Sequence, residues 1–380
     1  MHILPIAGGK GGVGKSFLAA NLSIALGQAG KKVVLADLDL GASNLHLILG
    51  ERNVKSGIGS YLIDSKLPFD DIVFNTQYEN LRFIPGDAEI PGMANLQANQ
   101  KARLVRNLFM VDADYLVLDL GAGTSFNTID FFLTSSEGIM VTAPALTATL
   151  NAYLFLKNAV FRIMTTTFKK YPKAKKILDS LKTEGANLQR LYIPHFLEKI
   201  KKAEPKAWES QITRMKNFRP SLVMNLLEDP KDSSKAIKIK RSAKEYLGID
   251  LEHLGVIYRD HIQDISLSAR LPILLYKPES VISQAIYRIA DKVLQRDEEI
   301  EGPLPVELLE ETYQVADMEA EIDYNSKVHE MEKMLHSGSM EESELIETIR
   351  VQQFEINSLK KENQLLKSKL AKAVQAGFKI

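Results

Sequence analysis

The chain has 380 residues, 45% of them hydrophobic, and its 48 basic side chains balance 48 acidic ones. That length suits one large domain with an appendage, and the zero net charge argues against general adhesion to nucleic acid, although a local basic patch is compatible with it. The absence of cysteine excludes disulfides, thiol catalysis, iron–sulfur clusters and cysteine-type zinc sites, which fits a cytoplasmic protein.

Short apolar runs alternate with segments of helical periodicity between Ile3 and about Leu294. This alternation predicts an α/β fold with a doubly wound, mostly parallel sheet. Seven strands are expected, at Ile3–Ala7, Lys32–Asp37, Leu81–Pro85, Tyr115–Leu120, Gly138–Ala143, Ser221–Asn225 and Glu252–Ile257. Pro5 conflicts with a central first strand, because proline removes a ladder hydrogen bond. Either a bulge accommodates it, or this strand is less central.

A glycine-rich loop follows the first strand. Residues 9–16 satisfy the pattern G-x-x-x-x-G-K-[ST] between a strand and a helix, which predicts a P-loop NTPase. Its glycines let backbone N–H groups converge on phosphate oxygens. Lys15 is expected to reach the β- and γ-phosphates of ATP, and Ser16 to bind Mg²⁺. The residues expected to contact the nucleotide here are Gly9, Gly11, Gly12, Val13, Gly14, Lys15, Ser16 and Phe17.

A second lysine, Lys10, lies inside this loop, and one subunit does not need it to hold its own phosphates. The segment 10–16 resembles the deviant Walker A pattern K-G-G-x-G-K-[ST] of the ParA/MinD family. The resemblance implies a homodimer with ATP sandwiched between two chains, in which Lys10 reaches the partner's phosphates as a stabilising cation. The alternative is an ordinary solvated loop lysine.

The second predicted strand runs into Asp37-Leu38-Asp39, which resembles the switch I region of the same family. By that match Asp39 would orient the attacking water and help to hold the metal, while Asp37 would support the loop from the end of the strand. The catalytic residues implied are therefore Lys10, Lys15 and Asp39. Carboxylates at strand ends can also serve only as caps.

The apolar strand Tyr115–Leu120 contains one carboxylate, Asp119, which is the arrangement of a Walker B motif. Asp119 is expected to bind Mg²⁺, directly or through water, so the predicted metal site comprises Ser16, Asp39 and Asp119. Gly121 and Gly123 would let the following loop approach the γ-phosphate and respond to its loss.

Two later segments extend the resemblance. Residues 144–153 are similar to the stretch after the corresponding strand in the FlhG/FleN branch, and residues 223–225 to the strand whose terminal asparagine recognises adenine. An amide matches the donor and acceptor that adenine presents, so Asn225 is the candidate for base selection. The resemblance is nearest to MinD and FlhG/FleN.

A lysine-rich, mainly helical stretch, 158–220, interrupts the alternation. It is interpreted as an insertion in a ParA/MinD-like ATPase domain of residues 1–300. A linker is expected at 301–312, because Gly302, Pro303 and Pro305 cannot continue a helix.

The remaining residues, 313–380, predict a helical tail with a break at 336–339 and a coiled coil beyond it. The a positions are Ile349, Ile356, Asn363 and Leu370, and the d positions are Leu345, Gln352, Leu359, Leu366 and Ala373. Isoleucine at a, leucine at d and one asparagine at a favour a parallel two-stranded assembly. The alternative is one amphipathic helix that folds back onto its own domain.

The resemblance implies a slow ATPase that dimerises on ATP, binds a protein partner or a surface, and is released after hydrolysis. The alternative is a ParA-type partition ATPase whose ATP dimer binds DNA non-specifically through the lysines of 158–220. A third hypothesis is peripheral membrane contact through the basic segment 367–380. The expected location is cytoplasmic, peripheral at a membrane or at the nucleoid under the latter two.

Overall fold

A computed structural model describes residues 1–51, 56–87, 96–183, 192–296 and 306–337. The chain divides into two compact units, Met1–Tyr324 and Asn325–Ile380. The first unit contains the sheet and every residue predicted to bind nucleotide or metal.

An eight-stranded sheet in the order β3-β4-β2-β5-β1-β6-β7-β8 forms the centre of the first unit. Its strands are β1 His2–Ala7, β2 Val33–Leu38, β3 Phe74–Asn75, β4 Leu81–Ile84, β5 Tyr115–Leu120, β6 Ile139–Thr142, β7 Ser221–Leu227 and β8 Glu252–Tyr258. Every pairing is parallel except that of β3 with β4. The predicted α/β class and its seven strands are confirmed. The sequence did not predict β3, which has too few residues to show an alternating pattern.

Pro5 lies in the central strand β1 without a bulge. The register of β1 with β5 is unshifted from His2 to Ile6. Pairing of β1 with β6 begins only at Ile6, opposite Ile139. Proline is tolerated because on that side the nitrogen of Pro5 has no ladder hydrogen bond to lose.

Helices cover both faces of the sheet. In the described residues they are α1 Lys15–Gln28, α2 Leu45–Ile48, α3 Ile58–Ile63, α4 Ala98–Leu108, α5 Phe126–Phe132, α6 Leu146–Thr167, α7 Pro172–Thr183, α8 Ile193–Ala203, α9 Pro205–Asn217, α10 Ser234–Ser242, α11 His261–Ser268, α12 Ile273–Tyr276, α13 Val281–Arg296 and α14 Val306–Ser337. Helices α1 and α13 pack on one face, and α4, α5 and α6 on the other. This doubly wound arrangement leaves the carboxyl edge of the parallel strands open for a site.

The stretch predicted as an insertion contains α7, α8 and α9, and its predicted start at 158 lies inside α6. Phe196, Ile200 and Phe218 are buried in the same core as the sheet, so these helices are part of the main body. The lysines on α7, α8 and α9 and in the turn before them are exposed, namely Lys169, Lys170, Lys173, Lys175, Lys176, Lys199, Lys201, Lys202 and Lys206.

Helix α14 begins within the predicted linker, and its first half lies along the edge strand β8. The hydroxyl of Tyr313 donates to the carbonyl of Leu251 at 2.8 Å, and the hydroxyl of Tyr258 donates to the carbonyl of Ala320 at 2.9 Å. Apolar packing adds to these bonds, because Leu309, Tyr313, Ala316 and Ala320 are buried. The first unit therefore runs past the predicted boundary at 300.

The predicted coiled coil, Leu345–Ala373, and the basic segment 367–380 lie outside the described residues. Within the described ranges, no helix has the length and apolarity needed to cross a membrane.

Candidate nucleotide-binding site

The glycine-rich loop connects the end of β1 to the first turn of α1. Gly14 caps α1 with φ 86°, and Gly12 has φ 77°, a region that side chains with a Cβ seldom occupy. Gly9 is required for a different reason, since a Cβ on it would lie 2.2 Å from the backbone carbonyl of Asn151. The loop therefore rests directly on the backbone of α6.

The two lysines of the loop face different environments. Lys15 is only 7% exposed and opens helix α1, where backbone N–H groups and the helix dipole favour a phosphate. Lys10 is exposed, and its Nζ donates a hydrogen bond to the hydroxyl of Thr147 at 3.2 Å. Lys15 is thus enclosed at the start of α1, while Lys10 lies on the outer surface of the loop.

Asp37 is completely buried at the end of β2 and organises the segment that follows it. One carboxylate oxygen accepts hydrogen bonds from the Ser43 hydroxyl at 2.7 Å and the Leu45 backbone N–H at 3.3 Å. The other accepts from the backbone N–H of Asp39 at 3.1 Å. These bonds fix the segment that presents Asp39 at the edge of the sheet.

Asp119 lies at the end of β5, opposite Asp37 in the register with β2. The hydroxyl of Ser16 neighbours this carboxylate and favours a lower pKa for it. Oδ1 of Asp119 is buried and lacks a hydrogen-bond partner among the described residues. An unpartnered buried carboxylate oxygen beside a hydroxyl suits a divalent cation or its water shell. The residues present therefore fit Mg²⁺.

Burial raises the pKa of both Asp37 and Asp119 above the ordinary range of carboxyl groups. For Asp119 the neighbouring charge of Asp37 acts in the same direction, whereas Ser16 and Lys15 favour the charged form. Two carboxyls crowded in a buried site disfavour each other's ionisation, and a bound cation would relieve that repulsion.

Asp39 and the loop after β5 are close neighbours. A Cβ on Gly121 would lie 3.0 Å from Oδ1 of Asp39, a tight contact with the end of that side chain. The segments after β2 and β5, predicted to respond to the γ-phosphate, therefore meet beside the loop that carries Lys10 and Lys15.

Asn225 is buried in β7 and contacts the loop from below. Its Nδ2 donates to the carbonyl of Val13 at 2.9 Å, and its Oδ1 accepts from the backbone N–H of Leu226 at 2.8 Å. The side chain therefore anchors the glycine-rich loop. Recognition of adenine by Asn225 stays a prediction.

The structure brings together the predicted residues of the loop, Asp39, Asp119 and Asn225 at one edge of the sheet. The side chain of Phe17 is instead buried in the apolar core, which leaves only its backbone amide for a phosphate. Sequence reasoning missed the contacts of Thr147 and Asn151, although the 144–153 segment had been singled out by resemblance.

Comparison with known proteins gives the family. The model of the family described as CobQ/CobB/MinD/ParA nucleotide binding domain matches residues 4–377. The chain belongs to this family. The matched range includes the segment 10–16, whose sequence has the pattern K-G-G-x-G-K-[ST].

Similar proteins within the CobQ/CobB/MinD/ParA family include two curated relatives. The antiactivator FleN of Pseudomonas aeruginosa is 28% identical over 159 residues, which cover 41% of this chain and 56% of FleN. The septum site-determining protein MinD of Synechocystis is 36% identical over 153 residues, which cover 40% of this chain and 56% of that protein. The matched stretch thus spans little more than half of each relative.

Solved structures of this family share the fold over most of their length. MinD of Pyrococcus horikoshii complexed with Mg-ADP has a TM-score of 0.52 at 22% identity, covering 77% of this chain and 95% of that one. The MinC:MinD complex of Aquifex aeolicus has a TM-score of 0.50 at 19% identity, covering 80% and 99% respectively. The α/β architecture is therefore that of MinD.

Proposed function

We propose that this chain is a slow ATPase that pairs face to face with a second copy on ATP and thereby positions or regulates a cellular assembly. The observation that carries the proposal is the contrast between the two loop lysines, one buried at the start of α1 and one exposed. A cation on the outer surface of the loop can serve the phosphates of a facing subunit, where charge develops during hydrolysis.

The remaining residues take distinct roles in this proposal. Lys15 and the backbone N–H groups of the loop bind the β- and γ-phosphates, and Asp39 orients the attacking water. Ser16, Asp39 and Asp119 would hold Mg²⁺, which on binding neutralises charge on the phosphates. Asp37 keeps the Asp39 segment in place through its bonds to Ser43 and Leu45.

The names of similar proteins support a positioning role. They include septum site-determining MinD proteins and the flagellum site-determining protein YlxH of Helicobacter pylori, which is 33% identical over 159 residues. We infer that hydrolysis by this chain acts as a timer for a cytoplasmic switch. The segments that contact the γ-phosphate would change the dimer interface when that phosphate leaves.

The test uses a single cysteine, because the chain has none of its own. Leu146 is 83% exposed and precedes Thr147, the contact of Lys10. Pyrene attached to Leu146→Cys should give excimer emission with ATP and not with ADP. Lys10→Ala should bind ATP but lose the excimer, Lys15→Ala should lose ATP binding, and Asp39→Ala should keep the excimer without releasing phosphate. Excimer emission that does not change on addition of ATP would refute the proposal.

A matching cellular test follows a fluorescent fusion. The full chain should concentrate at a pole, at midcell or on the nucleoid, whereas Lys10→Ala and Asp39→Ala should each disturb that pattern. A distribution unchanged by both substitutions would argue against a nucleotide-dependent positioning role.

The exposed lysines on and before α7, α8 and α9 favour a second candidate, non-specific DNA binding by the ATP dimer. DNA binding that appears only with ATP and weakens steeply with added salt would support it. Replacing Lys199, Lys201 and Lys202 by glutamine should then reduce the salt dependence. An ATP dimer that does not bind DNA would exclude it.

A further inference from the structure

Helix α14 presents exposed apolar side chains at the point where it leaves the first compact unit. Tyr324 is the last residue of that unit, and Tyr324, Val328 and Met331 are 38%, 38% and 43% exposed. Their spacing of four and three residues places them on one side of a helix. The ring of Tyr324 lies 6.2 Å from that of Tyr258, and the exposed parts of the three side chains need an apolar partner to leave water.

The stripe has the same heptad frame as the repeat predicted in the tail. Counting back in sevens from Ile349 leads through Glu342 to Leu335 and Val328, all at a. Counting back from Leu345 leads through Gly338 to Met331 and Tyr324, all at d. A heptad repeat can start in any of seven frames. Two unrelated helices separated by a break would share the same frame only by chance.

The apolar frame also stops where the helix joins the body. The preceding a and d positions are Glu321 and Asp317, both charged. Of the apolar residues in this earlier part, Tyr313 and Ala320 are buried, whereas Met318 and Ile322 are 64% and 61% exposed at positions outside a and d. Apolar residues therefore occupy the a and d positions of α14 only from Tyr324 onward.

Charges beside the seam indicate its occupant. In a parallel, in-register pair, each g residue faces the next e residue of the partner. This frame has seven such g and e pairs between 327 and 374, and three of them carry a charge at both positions, namely Lys327 with Glu332, Glu355 with Lys360, and Glu362 with Lys367. All three pairs have opposite signs. An antiparallel pair would instead bring g residues opposite g residues and lose this complementarity.

We propose that Tyr324, Val328 and Met331 begin a parallel, in-register seam with α14 of a second copy of this chain. This deepens the dimerising function proposed above, because it names a pairing surface that needs no nucleotide. In the sequence the same heptad frame continues into the tail, where Gly338 falls at d and Glu342 at a.

Helix α14 carries both the packed segment and the start of the proposed seam. It runs from Val306 to Ser337, and its first half is held by ion pairs from α13, Arg288 with Asp323 and Lys292 with Glu319. A permanent pair raises the effective concentration of one ATPase domain for the other.

Cysteine cross-linking of the full chain tests the seam. Val328→Cys at a and Met331→Cys at d should form interchain disulfides rapidly on mild oxidation without nucleotide. Ser326→Cys, at the outward f position and exposed, is the matched control and should cross-link at least tenfold more slowly. Equal rates at 326 and 328 in chains that still bind ATP would overturn the proposal, as would a sedimentation mass of one chain.

The two proposals fail in different ways. Val328→Cys combined with Lys15→Ala should cross-link as fast as Val328→Cys alone, because the seam does not need ATP. Cross-linking at 328 without ATP-dependent pyrene emission at 146 would keep the seam and refute the nucleotide switch. Emission at 146 without cross-linking at 328 would keep the switch and refute the seam.

Discussion

The amide Nδ2 of Asn225 donates to the carbonyl of Val13 at 2.9 Å and so ties the end of β7 to the glycine-rich loop. Both residues are buried, and Gly14 next to Val13 has no room for a Cβ, which would lie 2.1 Å from the same Nδ2. The shape of the loop therefore depends on a residue from a distant part of the chain.

Asn225→Ala should weaken ATP binding by about tenfold or more and lower the free energy of unfolding by about 1–3 kcal/mol, because a buried carbonyl loses its donor. Calorimetric titration with ATP and GTP would measure the effect. An equal loss for both nucleotides indicates anchoring alone, whereas a lost preference for ATP indicates base selection. Asn217→Ala, at an exposed residue, is the control and should bind both nucleotides as the unmodified chain does. Unchanged ATP binding and stability in Asn225→Ala would contradict the anchoring role.

Gly9→Ala and Gly11→Ala form a matched pair in the same loop. The added Cβ would lie 2.2 Å from the Asn151 backbone in the first, but 4.0 Å from the nearest atom, the Cβ of Ala122, in the second. Gly9→Ala should lower the melting temperature by several degrees, since overpacking costs about 1–3 kcal/mol, while Gly11→Ala should melt near the original temperature. Equal melting temperatures would show that the backbone of α6 shifts to accommodate the added Cβ without loss of stability.

His253 predicts a loss of stability in acid. It is buried in β8 against the ring of Tyr313, 5.1 Å between centroids. Burial, helped by the charge of Lys292, lowers the pKa of His253 to about 3 in the folded chain, from 6.5. The unfolded chain therefore binds more protons between these values, and stability falls as the pH decreases from about 6.5 towards 3.

Lowering the pH from 7 to 5 should reduce the free energy of unfolding by about 2 kcal/mol because of this residue. Urea unfolding of the wild type and of His253→Phe at both pH values would reveal the effect. The phenylalanine keeps a ring against Tyr313 but cannot be protonated, so the free energy of unfolding of this variant should fall less between pH 7 and pH 5. His261→Phe, at an exposed histidine, serves as the control and should follow the wild type. Parallel curves for all three proteins would refute this account of His253.

The ion pair between Arg288 and Asp323 should stabilise the docking of α14 on α13. The carboxylate of Asp323 is only 4% exposed, so removing its partner leaves a buried charge. Arg288→Met should lower the free energy of unfolding by about 1–3 kcal/mol, a range reduced because Arg288 is partly exposed. Adding Asp323→Asn should recover part of this loss. Denaturant unfolding of the two variants measures both effects.

An exposed ion pair supplies the comparison. Lys244 and Asp250 are 59% and 42% exposed, so Lys244→Met should change the free energy of unfolding by less than about 1 kcal/mol. If Arg288→Met costs no more than this control, the buried pair contributes nothing to the docking of α14.

The local sequence was sufficient for the elements whose signal lies in adjacent residues. The loop 9–16 between β1 and α1, the apolar strand that ends near Asp119, and the α/β class all follow from short patterns of glycine, charge and apolar residues. Such patterns report local backbone geometry and burial, which is why the seven predicted strands are present and the two-residue strand β3 was missed.

Only the tertiary structure decided how distant segments complete the site. It placed Asn225 against Val13, Asn151 against Gly9, and Thr147 against Lys10, contacts that depend on the sheet order and on the packing of α6. It also assigned the first half of α14 to the first compact unit. The sequence by itself determined that this chain has a glycine-rich loop of the P-loop pattern with an extra lysine. Packing across the sheet decided which residues hold that loop, because contacts between distant segments leave no spacing pattern in the chain.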